Sequence, residues 1–266
     1  MQIPDISMVI EHVKRAAKTE LLPRFERISA QLKADGSFIT EADVAMQAAL
    51  CKAFEQDWPD IGFLGEEMPE AEQETLLVMS DKPIWIVDPI DGTSNFSLGI
   101  PYFAVSVALL YEKRLILGVV YDPCRDECFC ATHDSGAFLN QSPLNLSSVS
   151  HIDKMTIGLV DYKRLSPTLA TKLASQPPFK SQRSFGSVAL DWCWMAAGRG
   201  DVYLHGKQKL WDYAAGYLVL KQAGGYESTL GGESVFNGVL TPRSAVAAIN
   251  QPMFEQWFDY LTQAAQ

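Results

Sequence analysis

Trp85-Ile86-Val87-Asp88-Pro89-Ile90-Asp91-Gly92-Thr93-Ser94-Asn95-Phe96 is an apolar run that ends in two aspartates three residues apart, followed at once by Gly-Thr-Ser. Its apolar part, residues 84–87, reads as a buried strand. Pro89 has no N–H to give a sheet ladder, so the strand is expected to stop near Asp88. Gly92 relaxes the backbone, and Thr93 or Ser94 is expected to cap a short helix. Two carboxylates and a row of backbone N–H groups then meet at one strand end. Carboxylates attract a hard divalent cation, and free N–H groups at a helix start attract phosphate. The stretch therefore points to metal-assisted phosphoryl chemistry.

Strands and helices alternate in blocks on either side of this motif. Val9, Val13, Ala16 and Ala17 have helical spacing within residues 8–25, and that helix should end before Pro23. Residues 33–37 are polar and read as a loop. Thr40 looks like an N-cap with Asp43 in the place of a capping-box acid, and Val44, Gln47, Ala48, Cys51 and Phe54 continue the helix toward Trp58-Pro59. Phe63-Leu64-Gly65 is a short apolar segment that ends in Glu66-Glu67. Residues 103–111 and 115–121 read as a hairpin turning at 112–114, and 129–139 extend the meander. The second half offers a strand at 155–161, a helix at 167–175, a helix after Arg183 that ends near Gly198, and a strand at 201–205. A helix begins at Asp212, with Ala215, Leu218, Val219 and Gln222 along one stripe, and is stopped by Gly224-Gly225. The expected fold class is α+β, a layered sandwich.

Composition narrows the function. The chain has 266 residues, 47% of them hydrophobic, which is enough for a substantial core. No apolar run approaches the roughly 20 residues of a membrane helix, and the N-terminus lacks the basic and apolar regions of a signal peptide. A cytoplasmic location without membrane contact is expected. The net charge of −10 argues against direct nucleic-acid binding, which relies on Lys and Arg, but not against a small phosphorylated substrate. The five cysteines are expected to be free thiols. Cys124, Cys128, Cys130 and His133 match no common zinc spacing, and Cys128 and Cys130 fall on one face of a strand as small hydrophobes.

Taken singly, Asp43 reads as a helix-start acid, Asp212 as a cap, and Glu66-Glu67 as a solvated turn. Together, Glu66, Asp88, Asp91 and Asp212 all end apolar elements. If they converge they form an all-oxygen site, which favours Mg or Mn over Zn and repels itself unless cations intervene.

Residues 88–96 resemble the first signature of the inositol monophosphatase family. Trp211-Asp212-Tyr213-Ala214-Ala215-Gly216, followed by Ala223-Gly224-Gly225, resembles its second. Gly65-Glu66-Glu67 is similar to the family's upstream metal-binding segment, and Thr40 and Asp43 stand where the family has a Thr and an Asp near the catalytic water. The order and spacing match across about residues 33–225. The resemblance implies an αβαβα sandwich of the sugar-phosphatase type, forming one catalytic domain over 1–266. Its metal-binding half would span about 1–150 and its substrate half about 151–266. It further implies a Mg-dependent, lithium-sensitive phosphomonoesterase, usually a homodimer, with two or three Mg ions per site and Mn as the alternative. Carried over by position, Glu66, Asp88, Asp91, Asp212 and the Ile90 carbonyl would ligate metal. Gly92 and Thr93, with Ser94 beside them, would hold the phosphate. Glu66 and Thr93, the latter supported by Asp43 and Thr40, would direct the attacking water, and Asp91 and Asp212 would face the leaving group.

Gly186 and Ser187 match the family's other substrate-wall segment. His205 stands where the family often has a carboxylate that binds substrate hydroxyls, with Lys207 and Lys209 close by. A histidine donates as well as accepts. This departure leaves several substrates open: inositol 1-phosphate or a related polyol or sugar phosphate, a 3'(2'),5'-bisphosphate nucleotide, fructose 1,6-bisphosphate or histidinol phosphate. A non-enzymatic role as a regulatory docking protein is the alternative from another class.

Overall fold

The computed structural model describes residues 3–25, 31–32, 38–79, 82–146, 151–153 and 155–265. The expected loop at 33–37 lies outside the described residues. The first part of the chain runs α1 (Ile6–Ala16), β1 (Gln31–Leu32), β2 (Phe38–Ile39), α2 (Glu41–Asp57), β3 (Gly62–Gly65), α3 (Glu70–Met79), β4 (Ile84–Asp91), α4 (Thr93–Ser97), β5 (Ala104–Tyr111), β6 (Arg114–Asp122), β7 (Glu127–Thr132), β8 (Gly136–Leu139) and β9 (Ser142–Pro143). The second part runs β10 (Ile157–Asp161), α5 (Pro167–Ser175), β11 (Ser181–Arg183), α6 (Val188–Ala196), β12 (Val202–Gln208), α7 (Leu210–Gln222), β13 (Tyr226–Ser228), β14 (Arg243–Ala248) and α8 (Gln251–Ala265).

A seven-stranded sheet has the order β3-β4-β5-β6-β7-β8-β9, and a five-stranded sheet the order β11-β10-β12-β14-β13. Alternation along β4 divides the core. Trp85 and Val87 pack with Met46, Leu50 and Phe54 of α2, whereas Ile84 and Ile86 belong to the cluster built around α6 and α7. Helices α6 and α7 lie between the two sheets, and α5 and α8 cover the outer face of the smaller one. The result is the expected α+β layered sandwich. Close approach in the middle layer needs small residues: a Cβ on Gly118 would sit 2.9 Å from the Ala215 carbonyl oxygen, and one on Gly216 would sit 2.7 Å from Trp192 Cβ.

Several local expectations are corrected. Strand β4 does not stop at Asp88 but runs through Pro89 to Asp91, because the ladder to β5 shifts register between Asp88 and Asp91. Such a bulge accommodates a proline without loss of the flanking pairs. Gly92, not Thr93 or Ser94, occupies the N-cap of α4, with a φ of +96° that a Cβ would disfavour. Helix α7 starts at Leu210, two residues before Asp212, whose carboxylate reaches back to the Lys209 N–H. The β5–β6 turn has two residues, Glu112 and Lys113, both with positive φ, so Arg114 belongs to the strand. The first helix widens into a π-turn over Ala17–Leu21 and ends before Pro23, as expected. Cys128 and Cys130 are buried and free.

Candidate active site

The local sequence places three carboxylates at one point. Asp88 and Asp91 flank the bulge that ends β4, and Asp212 stands in the first turn of α7, so a break in one ladder meets the start of a middle-layer helix. One carboxylate oxygen from each of the three lies within 4.8 Å of the others. Each is also oriented by the backbone or a hydroxyl. Asp88 Oδ1 accepts from the Ile90 N–H at 3.0 Å. Asp91 Oδ2 accepts from Ser187 Oγ at 2.5 Å and from the Ala189 N–H at 2.6 Å. Asp212 Oδ2 accepts from the Lys209 N–H at 2.8 Å.

Glu66 stands just outside this trio. Its N–H donates to the Val87 carbonyl, extending the β3–β4 pairing by one residue, and Gln73 Nε2 reaches both the Gly65 and Glu66 carbonyls. Its Oε1 faces Lys209 Nζ at 3.8 Å. Gln47 of α2 accepts from the Glu67 N–H at 3.0 Å, and a Cβ on Gly65 would meet Gln47 Oε1 at 2.1 Å. A side chain at position 65 would displace the Gln47 amide that accepts from Glu67.

Charge crowding shows in the acidities. Burial, followed by the charges of Glu66 and Asp91, holds Asp88 well above the usual carboxylate range. Asp212 is raised in the same way, by loss of solvent and then by Asp91 and Glu66. Asp91 is pushed up to about 7 by burial, with the hydrogen bonds from Ser187 and Ala189 drawing it back.

A second group borders the first. The buried face of α2 carries Ala42, Asp43, Met46, Leu50 and Phe54, so Asp43 is a carboxylate on an otherwise apolar stripe. The capping box fixes it: Thr40 donates to Asp43 Oδ2 from both its N–H and its hydroxyl, each at 2.7 Å. The free oxygen, Oδ1, faces Thr93 Oγ1 at 3.2 Å, and the Thr93 hydroxyl also lies 3.0 Å from the Ile90 carbonyl. Burial raises Asp43 to about 6. Asn95 Nδ2 donates to the Tyr102 and Phe185 carbonyls, which ties α4 to the loop holding Gly186 and Ser187. Ser94 is exposed at the start of α4.

His205 is placed differently from a loose rim residue. It is 5% exposed, its Nδ1 accepts from the Lys207 N–H at 3.2 Å, and its Nε2 lies 3.4 Å from Asp161 Oδ2. A backbone N–H on Nδ1 leaves the ring proton on Nε2, directed at Asp161. That hydrogen bond holds Asp161 below its ordinary range. Asp161 was not a sequence candidate, although it too is an acid ending an apolar strand. Register pairs it with His205 across β10 and β12. A further buried carboxylate missed in the sequence, Asp191, accepts from the Tyr102 hydroxyl at 3.0 Å.

A carboxylate cluster at the end of a bulged strand, inside an α+β sandwich, is a group that could hold a metal ion. The inositol monophosphatase family model matches residues 5–264. Inositol monophosphatase 1 of Solanum lycopersicum is 35% identical over 226 residues, covering 83% of this chain and 82% of that one. The Nus factor SuhB of Pasteurella multocida is 32% identical over 229 residues, covering 84% of each. A Thermotoga maritima IMPase structure superimposes with a TM-score of 0.84 at 23% identity, covering 98% of this chain and 97% of that one. The chain belongs to the inositol monophosphatase family. It is accordingly a phosphoric monoester hydrolase.

Proposed function

We propose that the chain hydrolyses a small phosphate monoester of a polyol or sugar, with inositol 1-phosphate the leading candidate. The observation that carries this reading is the convergence of Asp88, Asp91 and Asp212 within 4.8 Å. Crowded, desolvated carboxylates without histidine or cysteine fit a hard divalent cation. Asp88, Asp91, Asp212, Glu66 and the Ile90 carbonyl would hold Mg2+, with Mn2+ as the alternative. Bound there, the ions would supply Lewis-acid help, lowering the pKa of a water and stabilising charge on the leaving oxygen. The remaining work belongs to the chain. Asp43, fixed by Thr40, accepts from the Thr93 hydroxyl and thereby sets where Thr93 can take a hydrogen bond from the attacking water. The N–H groups of Gly92 and Thr93, beside Ser94, would receive phosphate oxygens. Gly186 and Ser187 would wall the leaving group, and Ser187 holds Asp91 in place. His205, with Nδ1 taken by the Lys207 N–H and Nε2 by Asp161, would act on the substrate wall by holding the Asp161 carboxylate.

Within one catalytic domain, Glu66, Asp88, Ile90 and Asp91 would come from the half at about 1–150, and Asp212 and the His205 wall from the half at about 151–266. A homodimer, lithium inhibition and a cytoplasmic location complete the reading by family membership. No helix among the described residues is long and apolar enough to cross a membrane. Kinship with proteins named Nus factor SuhB supports a second reading, a regulatory docking role. A scaffold alone has no need of the carboxylate cluster, so catalysis is the primary reading.

The test is phosphate release from inositol 1-phosphate, fructose 1,6-bisphosphate, histidinol phosphate and adenosine 3',5'-bisphosphate. Each is assayed with Mg2+, without it, and with Mg2+ plus Li+. Mg2+-dependent, Li+-inhibited release from inositol 1-phosphate is expected. No release from any of the four by folded protein would favour the docking role.

A further inference from the structure

Lys209 is the residue through which a cation of the chain itself enters the carboxylate cluster. Its backbone N–H donates to Asp212 Oδ2 at 2.8 Å, and its side-chain ammonium stands 3.8 Å from Glu66 Oε1. One residue thus grips acids from two distant segments, the end of β3 and the start of α7. The ammonium is also held from the side, 5.4 Å from the centre of the Trp211 ring, a distance at which a cation is drawn to the face of an indole. Trp211 is 7% exposed, so burial restrains its ring, and its backbone carbonyl accepts from Ser106 Oγ at 3.0 Å. The Lys209 side chain is about one-third exposed and that of Glu66 is 12% exposed. The pair therefore sits at the mouth of the cluster, where solvent screens it only in part.

We propose that Lys209 is a built-in cation of this site, neutralising Glu66 and so reducing by one the number of divalent ions that the carboxylates bind. The proposal rests on the reading that these acids hold divalent ions. Four carboxylates can gather two or three such ions when nothing else balances their charge. An ammonium beside Glu66 removes part of the attraction that the outermost ion would feel and opposes it with like charge. The charge of Lys209 also bears on Asp212, which it draws downward against the lift from burial.

The test counts ions directly. Mn2+ is titrated into the full chain, and free Mn2+ is read by electron paramagnetic resonance for the wild type, Lys209→Met and Lys209→Arg. Methionine keeps the length of the stem and drops the charge; arginine keeps the charge. Lys209→Met is expected to bind one Mn2+ more than the wild type, or to tighten the weakest site by about tenfold. Lys209→Arg is expected to follow the wild-type isotherm. Identical isotherms for the wild type and Lys209→Met would overturn the proposal, as would an arginine variant that behaves like methionine. Lys209→Gln repeats the comparison if methionine lowers the melting temperature. Wild-type protein that binds no Mn2+ at all would instead overturn the metal reading of the site.

Discussion

Thr93 Oγ1 lies 3.2 Å from Asp43 Oδ1, joining the first residue of α4 to a carboxylate on the buried face of α2, fifty positions earlier in the chain. The other oxygen of Asp43 is already taken twice by Thr40. The Thr93 hydroxyl has two acceptors, Asp43 Oδ1 and the Ile90 carbonyl at 3.0 Å, and its proton goes to one of them, which leaves its lone pairs to accept.

Thr93→Val keeps the shape and removes the hydroxyl. We expect kcat to fall by about 10²-fold, KM to change little, and Thr93→Ser to recover most of the loss. The check is steady-state kinetics on the preferred phosphate ester. A valine variant with wild-type kcat would remove Thr93 from the reaction.

Asp91→Asn keeps an acceptor for Ser187 and Ala189, so the fold should survive, but one charge of the cluster is lost. Turnover is expected to drop by at least about 10³-fold with a melting temperature near that of the wild type. Mn2+ affinity should drop in parallel. Near-normal turnover in a folded variant would refute the metal-assisted reading.

Much of this site could be read locally. The pair Asp88 and Asp91 lies within one stretch, and the Thr40–Asp43 capping box spans four residues, so both could be recognised without any knowledge of tertiary structure. What escaped depends on pairing between distant strands. Pro89 looked like a strand end because the register shift against β5 is not written in residues 84–91. Asp161 became a partner of His205 only through the β10–β12 register. Lys209 looked like part of a solvated basic pair, since its approach to Glu66 needs β3 and α7 to meet. Asp191 carries no local signal of its own, and only the fold brings Tyr102 against it.

Gly65→Ala tests how tightly the Glu66 segment is held. The added methyl would sit 2.1 Å from Gln47 Oε1, the atom that accepts from the Glu67 N–H. Either Gln47 gives way and Glu67 loses its partner, or β3 shifts and moves Glu66. We expect a loss of about 1–3 kcal/mol in chemical denaturation and weaker Mn2+ binding. Adding Gln47→Ala should return space, and with it part of the stability. Unchanged stability in the single variant would show that the turn is looser than its contacts.

Asp161→Asn separates position from charge at the substrate wall. The amide can still accept from His205 Nε2 but no longer holds a negative charge beside it. We expect KM for a polyol phosphate to rise by about threefold to tenfold with kcat nearly unchanged, since one hydrogen bond made equally in ground and transition states is weakened. His205→Ala should raise KM further. A fall in kcat without a change in KM would place the pair in the chemical step.

The acid cluster predicts an unusual pH dependence in metal-free protein. Asp43 moves from 3.8 to about 6, and Asp91 from 3.8 to about 7, both chiefly through burial. Between the unfolded and folded values, the native state holds more protons than the unfolded chain. The slope of stability against pH is then negative: the contribution is complete at low pH and is lost as pH rises through the folded values. At about 1.4 kcal/mol per unit, Asp43 alone removes about 3 kcal/mol by pH 8. Asp161 acts in the opposite direction, because its acidity is enhanced by His205, and its contribution is lost only as pH falls below the usual carboxylate range. The interval from about pH 5 to about pH 8 therefore covers the upper part of this loss, to which the raised Asp191 adds in the same direction. Divalent ions bind the deprotonated acids and release those protons, so added Mg2+ should raise the melting temperature more at pH 8 than at pH 5. Thermal melts across that interval, with chelator and with Mg2+, make the comparison. A chelated series that holds level or rises with pH would show that burial does not raise Asp43 and Asp91 in the folded protein.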